Sequence, residues 1–152
     1  MVSENSINSN SCIKKDIELL SASTVDDHIM KAYNYGFLLE AFSILNSIIE
    51  IYLKCIYTIE YGKNHLTCTP NVDKIWEKSY RHHTLIMDCL QKGFISNDLS
   101  DKLLEYNIKR IVFTHNLLKY WEYKRTDFEE QYHRGMNIKT EMEKKIKIHM
   151  KR

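Results

Sequence analysis

The stretch from Ile29 to Gly62, IMKAYNYGFLLEAFSILNSIIEIYLKCIYTIEYG, decides the fold class. Its apolar positions Ile29, Ala32, Phe37, Leu38, Ala41, Leu45, Ile48, Ile49, Tyr52 and Ile56 keep the spacing of one helical face. Gly36 is placed to bend or divide this helix, and Gly62 offers a stop, because glycine adopts the left-handed C-terminal position without steric cost. Upstream, Thr24 followed three residues later by Asp27 reads as a capping box. The apolar part from Ala41 to Leu53 is interrupted by Asn46 and Glu50 and falls short of the roughly 20 residues a membrane span needs. A buried helix is expected, with no membrane association.

Outward from this segment the same period continues. Pro70 opens an expected helix from about Asn71 to Lys92, carrying Ile75, Trp76, Tyr80, Leu85, Ile86, Cys89 and Leu90 and ending at Gly93. Another starts at Ser96 or Ser100 and runs through Leu103, Leu104, Ile108, Ile111, Val112, Leu117 and Leu118 to Trp121. Thr126 with Glu129 is a second capping-box candidate, opening a charged helix that reaches the C-terminus. Residues 12–22 are a candidate for a short leading helix. The expectation is an all-α, compact four- to five-helix bundle: a polar segment over 1–23, then a single helical domain over 24–152 with a basic C-terminal helix.

Composition supports this. Among 152 residues there are four glycines and one proline, where average usage would give about eleven and eight. Many-stranded sheets need turn residues, and nucleotide-binding α/β folds need glycine-rich loops; neither supply exists. The cysteines, Cys12, Cys55, Cys68 and Cys89, form no CxxC pair, which excludes zinc ribbons and fingers. Met1 to Asn10 carries no apolar signal-peptide core, so a cytoplasmic chain with free thiols is expected. The net charge of +2 is uneven. Lys139, Lys144, Lys145, Lys147, Lys151 and Arg152 stand against Glu141 and Glu143, giving the tail +4 and residues 1–138 a charge of −2. Such a tail, Lys144, Lys145 and Lys147 above all, suits a polyanion such as RNA, or a solvated helix end.

The most informative polar segment is KRIVFTHNLLKYWEY, Lys109 to Tyr123. Arg110 and His115 are five residues apart, about 140° around an ideal helix, and so lie on neighbouring faces. Asn107 and Thr114 sit about one turn either side of Arg110, forming a polar strip beside an expected apolar stripe of Ile108, Ile111, Val112 and Leu118.

Arg-x4-His late in a helical bundle resembles the signature of HEPN domains, found in many prokaryotic toxin and defence ribonucleases. The likeness covers roughly residues 30–125. It includes Glu40, Glu50 and Lys54 on the earlier helix, the HHTLIMDCL segment, and GFISNDLSDKLLEYNIKR leading into the motif. Ile111 stands where members often carry a polar residue, and Leu117 where one toxin subgroup carries tyrosine. The resemblance implies a homodimer that brings two Arg–His pairs into one cleft, cleaves RNA without a metal or other cofactor, and works with an antitoxin or other partner protein. The residue types suit that chemistry. An unperturbed histidine titrates near pH 6.5, so His115 can exchange the proton of a 2′-hydroxyl or leaving group. Arg110 offers a charged planar fork to phosphate oxygens. Products would carry 2′,3′-cyclic phosphate and 5′-hydroxyl ends. Asn107, Thr114, Asn116 and Lys109 are candidates for supporting or RNA contacts.

Other features have plainer readings. His82 and His83, near Asp88 and Cys89, point about 100° apart on a helix and do not share an ion, so no metal site is expected. Glu50 and Lys54 read as an i,i+4 ion pair. Tyrosines beside basic residues (Tyr80–Arg81, Lys119–Tyr120, Tyr123–Lys124–Arg125) are amphipathic boundary residues or stacking surfaces for bases. The alternative to a nuclease is a non-catalytic helical module of the same fold that binds RNA, a nucleotide or a partner protein.

Overall fold

A computed structural model describes residues 22–64, 75–76, 81–115 and 124–150. Among these residues there are five helices and no strand: α1 (Ala22–Asn34), α2 (Leu38–Asn64), α3 (His82–Gln91), α4 (Asn97–His115) and α5 (Arg125–Met150). Ile75 and Trp76 are helical as well. The all-α expectation holds. The leading helix expected over residues 12–22 lies outside the described residues apart from Ala22, which opens α1. The chain forms two compact units, Met1–Ala41 and Phe42–Arg152.

In the first unit, α1 buries Ile29 and Ala32. Thr24 sits inside α1, two residues past its start, and so is not the N-cap expected from its spacing to Asp27. Gly36 divides the long helical pattern. Its φ of +83° carries the chain through the left-handed region, and the amides of Gly36 and Phe37 bond back to the carbonyls of Tyr33 (3.0 Å) and Ala32 (2.8 Å). That pair of bonds is a Schellman motif, which satisfies carbonyls left over at a helix end. Just beyond it, His28 Nε2 lies 3.6 Å from Glu40 Oε1.

The second unit is built around α2. Phe42, Leu45, Ile49, Leu53 and Ile56 have no exposed surface. Leu38–Gly62 is, by length and mean hydropathy, long and apolar enough to cross a membrane, which corrects the shorter run expected from Asn46 and Glu50. Its apolar face is nevertheless packed inside the protein. Phe42 meets Tyr106 and Phe113 of α4 at 5.6 Å between ring centroids in both cases, and Phe113 stacks on Phe128 of α5 at 4.7 Å. Gly62 stays within α2, which continues to Asn64.

The expected helix from Asn71 to Lys92 is broken: Arg81 is extended (φ −70°, ψ 135°) and α3 begins at His82. Gly93 ends α3 as anticipated. Its φ is +70°, and Gly93 and Phe94 donate to the carbonyls of Leu90 (2.9 Å) and Cys89 (2.8 Å), a second Schellman motif. Ser96 caps α4, its Oγ accepting from the Leu99 amide at 3.2 Å. The α5 cap lies two positions earlier than expected. Asp127 Oδ2 accepts from the Lys124 amide at 2.9 Å, so Thr126 is already helical, while Glu129 pairs with Arg125 at 2.7 Å.

At Gly135, α5 runs close to Tyr106 and Leu45. A Cβ there would lie 2.6 Å from Tyr106 Oη, 2.7 Å from Leu45 Cδ2 and 2.9 Å from Tyr106 Cε2. Gly135→Ala gains about 1 kcal/mol of helix propensity but overpacks a buried tyrosine and leucine, at a cost of roughly 1–3 kcal/mol. A lowered urea midpoint is expected. A raised midpoint would show that both side chains move aside freely.

Candidate functional site

One face of α2 is apolar; the other carries Ser43, Asn46, Ser47, Glu50, Lys54 and Thr58 at helical spacing. Glu50 gathers the charges. Lys54 Nζ lies 3.0 Å from Glu50 Oε1, the i,i+4 pair expected from sequence. On the other oxygen, Glu50 Oε2 is 3.8 Å from Arg110 Nη1 of α4 and 3.9 Å from His82 Nδ1 of α3. Three helices thus meet at one carboxylate. Beside it Ser43, Asn46, Ser47, Glu50 and Arg110 line an open depression of about 200 Å³. Arg110 keeps 29% of its side-chain surface exposed, enough to reach a ligand while its guanidinium faces Glu50.

His82 is 8% exposed, and its Nδ1 has no hydrogen-bond partner among the described residues. Burial lowers its pKa to about 4, helped by Arg110 and Lys54 and opposed by Glu50. His82 is therefore neutral at pH 7 and adds no charge to the cluster. The linkage has a definite sign. In the unfolded chain His82 takes its proton near pH 6.5, whereas in the fold it resists until about pH 4. Stability from this group is complete above pH 6.5 and falls as pH drops from 6.5 towards 4, by an amount of order 3 kcal/mol. Urea midpoints between pH 7.5 and 4.5 should fall less steeply for His82→Gln than for wild type; parallel curves would contradict the assignment.

Arg110 is the sequence-predicted residue that reaches the depression. His115 is the last residue of α4 and Thr114 precedes it; both side chains, and all of Asn116, lie outside the described residues. Asn107 is 5% exposed, with Oδ1 unpartnered among the described residues, which suits it to support α4 from within rather than touch RNA. Lys109 lies elsewhere, in an α4–α5 cleft of about 340 Å³ with Glu105, Asp127, Glu130, Gln131 and Arg134. In the tail, Lys144 and Lys147 are exposed and Lys145 half-buried. Lys139, by contrast, is 3% exposed, with its ammonium 3.5 Å from Glu143 and 5.9 Å from the Tyr52 ring centre. Lys147 pairs with the same Glu143 at 3.0 Å. Both ammonium groups thus meet a glutamate already counted in the tail's net charge of +4.

The apolar stripe expected on α4 is displaced. Ile108 and Ile111 are 61% and 44% exposed, and the buried face is Leu99, Leu103, Tyr106 and Phe113 with Ser100 and Asn107. Adjacent His82 and His83 point apart as expected, one buried and one exposed. Burial pushes the Cys89 thiol up to about 12 and raises that of Cys55, so neither is an activated nucleophile. Nothing local in the sequence connects His82 and Glu50 to Arg110, because residues 50, 82 and 110 share no local spacing. The one local signal was a glutamate and an asparagine inside an otherwise apolar helix.

Comparison with family models, with curated proteins and with solved structures finds no match for this chain.

Proposed function

We propose that the chain is a HEPN-like, metal-independent endoribonuclease of a toxin–antitoxin or defence system. The observation that carries this reading is Arg110: its partly open guanidinium lines a polar depression, on the same helix as His115 and five residues before it. A phosphate entering the depression meets a charge with a planar donor fork, already oriented by the Glu50 carboxylate. His115 then accepts the 2′-hydroxyl proton as that oxygen attacks phosphorus. The P–O5′ bond breaks, and the departing 5′-oxygen takes a proton from the acid. One histidine does not easily serve both roles at once, so a second copy supplies the other. Ile108 and Ile111, both exposed on α4, are the surface that copy would cover.

A non-catalytic RNA-binding module is the second reading, favoured by exposed Lys144 and Lys147 on α5. Expression in a bacterial host separates the two. The nuclease arrests growth, and His115→Ala relieves it. The module gives salt-sensitive RNA binding that survives His115→Ala and weakens when Lys144, Lys145 and Lys147 are neutralised.

A further inference from the structure

We propose that Trp76 is a stacking platform for a base of single-stranded RNA lying along the polar face of α2, an inference that rests on the RNA-cleaving reading above. Trp76 is 46% exposed, although its indole is among the largest apolar surfaces a chain can bury. Polar contacts fix it in that open position. Its Nε1 donates to Thr58 Oγ1 at 3.2 Å, and the Thr58 hydroxyl in turn donates to the Lys54 carbonyl at 2.9 Å. The Lys54 ammonium lies 5.9 Å from the ring centre and is itself tied to Glu50 at 3.0 Å. The indole is thus anchored to the α2 backbone, half-exposed, with a cation over its ring.

The placement matches what a single strand requires. Thr58 and Glu50 are two turns apart, about 12 Å along α2. Trp76 therefore stands at one end of a polar strip, and the depression holding Arg110 at the other. Proteins that hold single strands combine a cationic contact to the backbone with aromatic faces for the bases, and such stacking tolerates any base. A phosphate on Arg110 leaves a neighbouring nucleotide within reach of the indole. Duplex RNA, whose bases are already stacked on each other, gains nothing from Trp76. The strip accordingly selects unpaired segments.

The test uses the full chain with Trp121→Phe, so that Trp76 is its only tryptophan. The probes are a short 2′-O-methyl oligoadenylate, in which the nucleophilic hydroxyl is blocked, and an abasic oligomer of equal length. Titration with the oligoadenylate should quench Trp76 fluorescence. Trp76→Ala should weaken its binding by roughly 5- to 150-fold and leave the abasic oligomer unaffected, while Trp76→Phe keeps most of the affinity. Binding without quenching, or equal weakening of both probes by Trp76→Ala, overturns the platform and leaves the RNA reading standing. Failure of the wild-type protein to bind either probe removes both.

Discussion

His115→Ala is expected to slow RNA cleavage by about 10²- to 10⁴-fold, the usual worth of a positioned acid or base. Circular dichroism and the urea midpoint of the variant, measured alongside, separate a loss of chemistry from a loss of fold. Arg110→Ala should cost a comparable factor, about 10²- to 10³-fold, through lost stabilisation of charge on phosphorus. Arg110→Lys is the sharper control. It keeps the charge but loses the fork, and partial activity is expected because a lysine contacts phosphate as a point charge only. Arg110 also faces Glu50 and His82, so its loss leaves the carboxylate less well compensated and a modest fall in stability accompanies the fall in rate. Unchanged cleavage by His115→Ala would remove that residue from the chemistry.

Phe42→Ala is expected to give the largest single loss of stability, about 3–5 kcal/mol. The ring has no exposed surface and meets Tyr106 and Phe113 in tilted and edge-on contacts, each worth something beyond burial alone. Tyr106 also lies close to Gly135 of α5. Against a total of about 5–15 kcal/mol this is a large fraction. The melting midpoint should drop by about 10 °C. A loss under about 1 kcal/mol would mean that the surrounding rings collapse into the gap.

Much of the fold was legible because helix punctuation is chemical and local. Gly36 and Gly93 both take positive φ and both close Schellman motifs, and Ser96 caps α4. Capping boxes were less secure. Thr24–Asp27 and Thr126–Glu129 satisfy the spacing, yet α1 starts before Thr24, and α5 uses Lys124 and Asp127 instead. A short polar side chain passes the local test wherever it stands; the backbone path selects which one caps. The same limit applies to faces. Leu103, Tyr106 and Phe113 compete with Ile108 and Ile111 for the interior of α4, and only the partner rings of α2 and α5 decide for the first set.

The candidate site divides along the same line. The Glu50–Lys54 pair was readable from spacing within one helix, and Arg110 from its motif. The meeting of Glu50, His82 and Arg110 was not, since it joins three helices. Nor was the open position of Trp76, which stands in the sequence among the apolar residues of an expected helix.

The most direct measurement is the chemistry of the fragment ends after wild-type and His115→Ala proteins are incubated with total RNA in excess EDTA. Wild type alone should yield 2′,3′-cyclic phosphate and 5′-hydroxyl ends. Fragments bearing 3′-hydroxyl ends, cleavage abolished by EDTA, or equal cleavage by both proteins would contradict the Arg110–His115 mechanism.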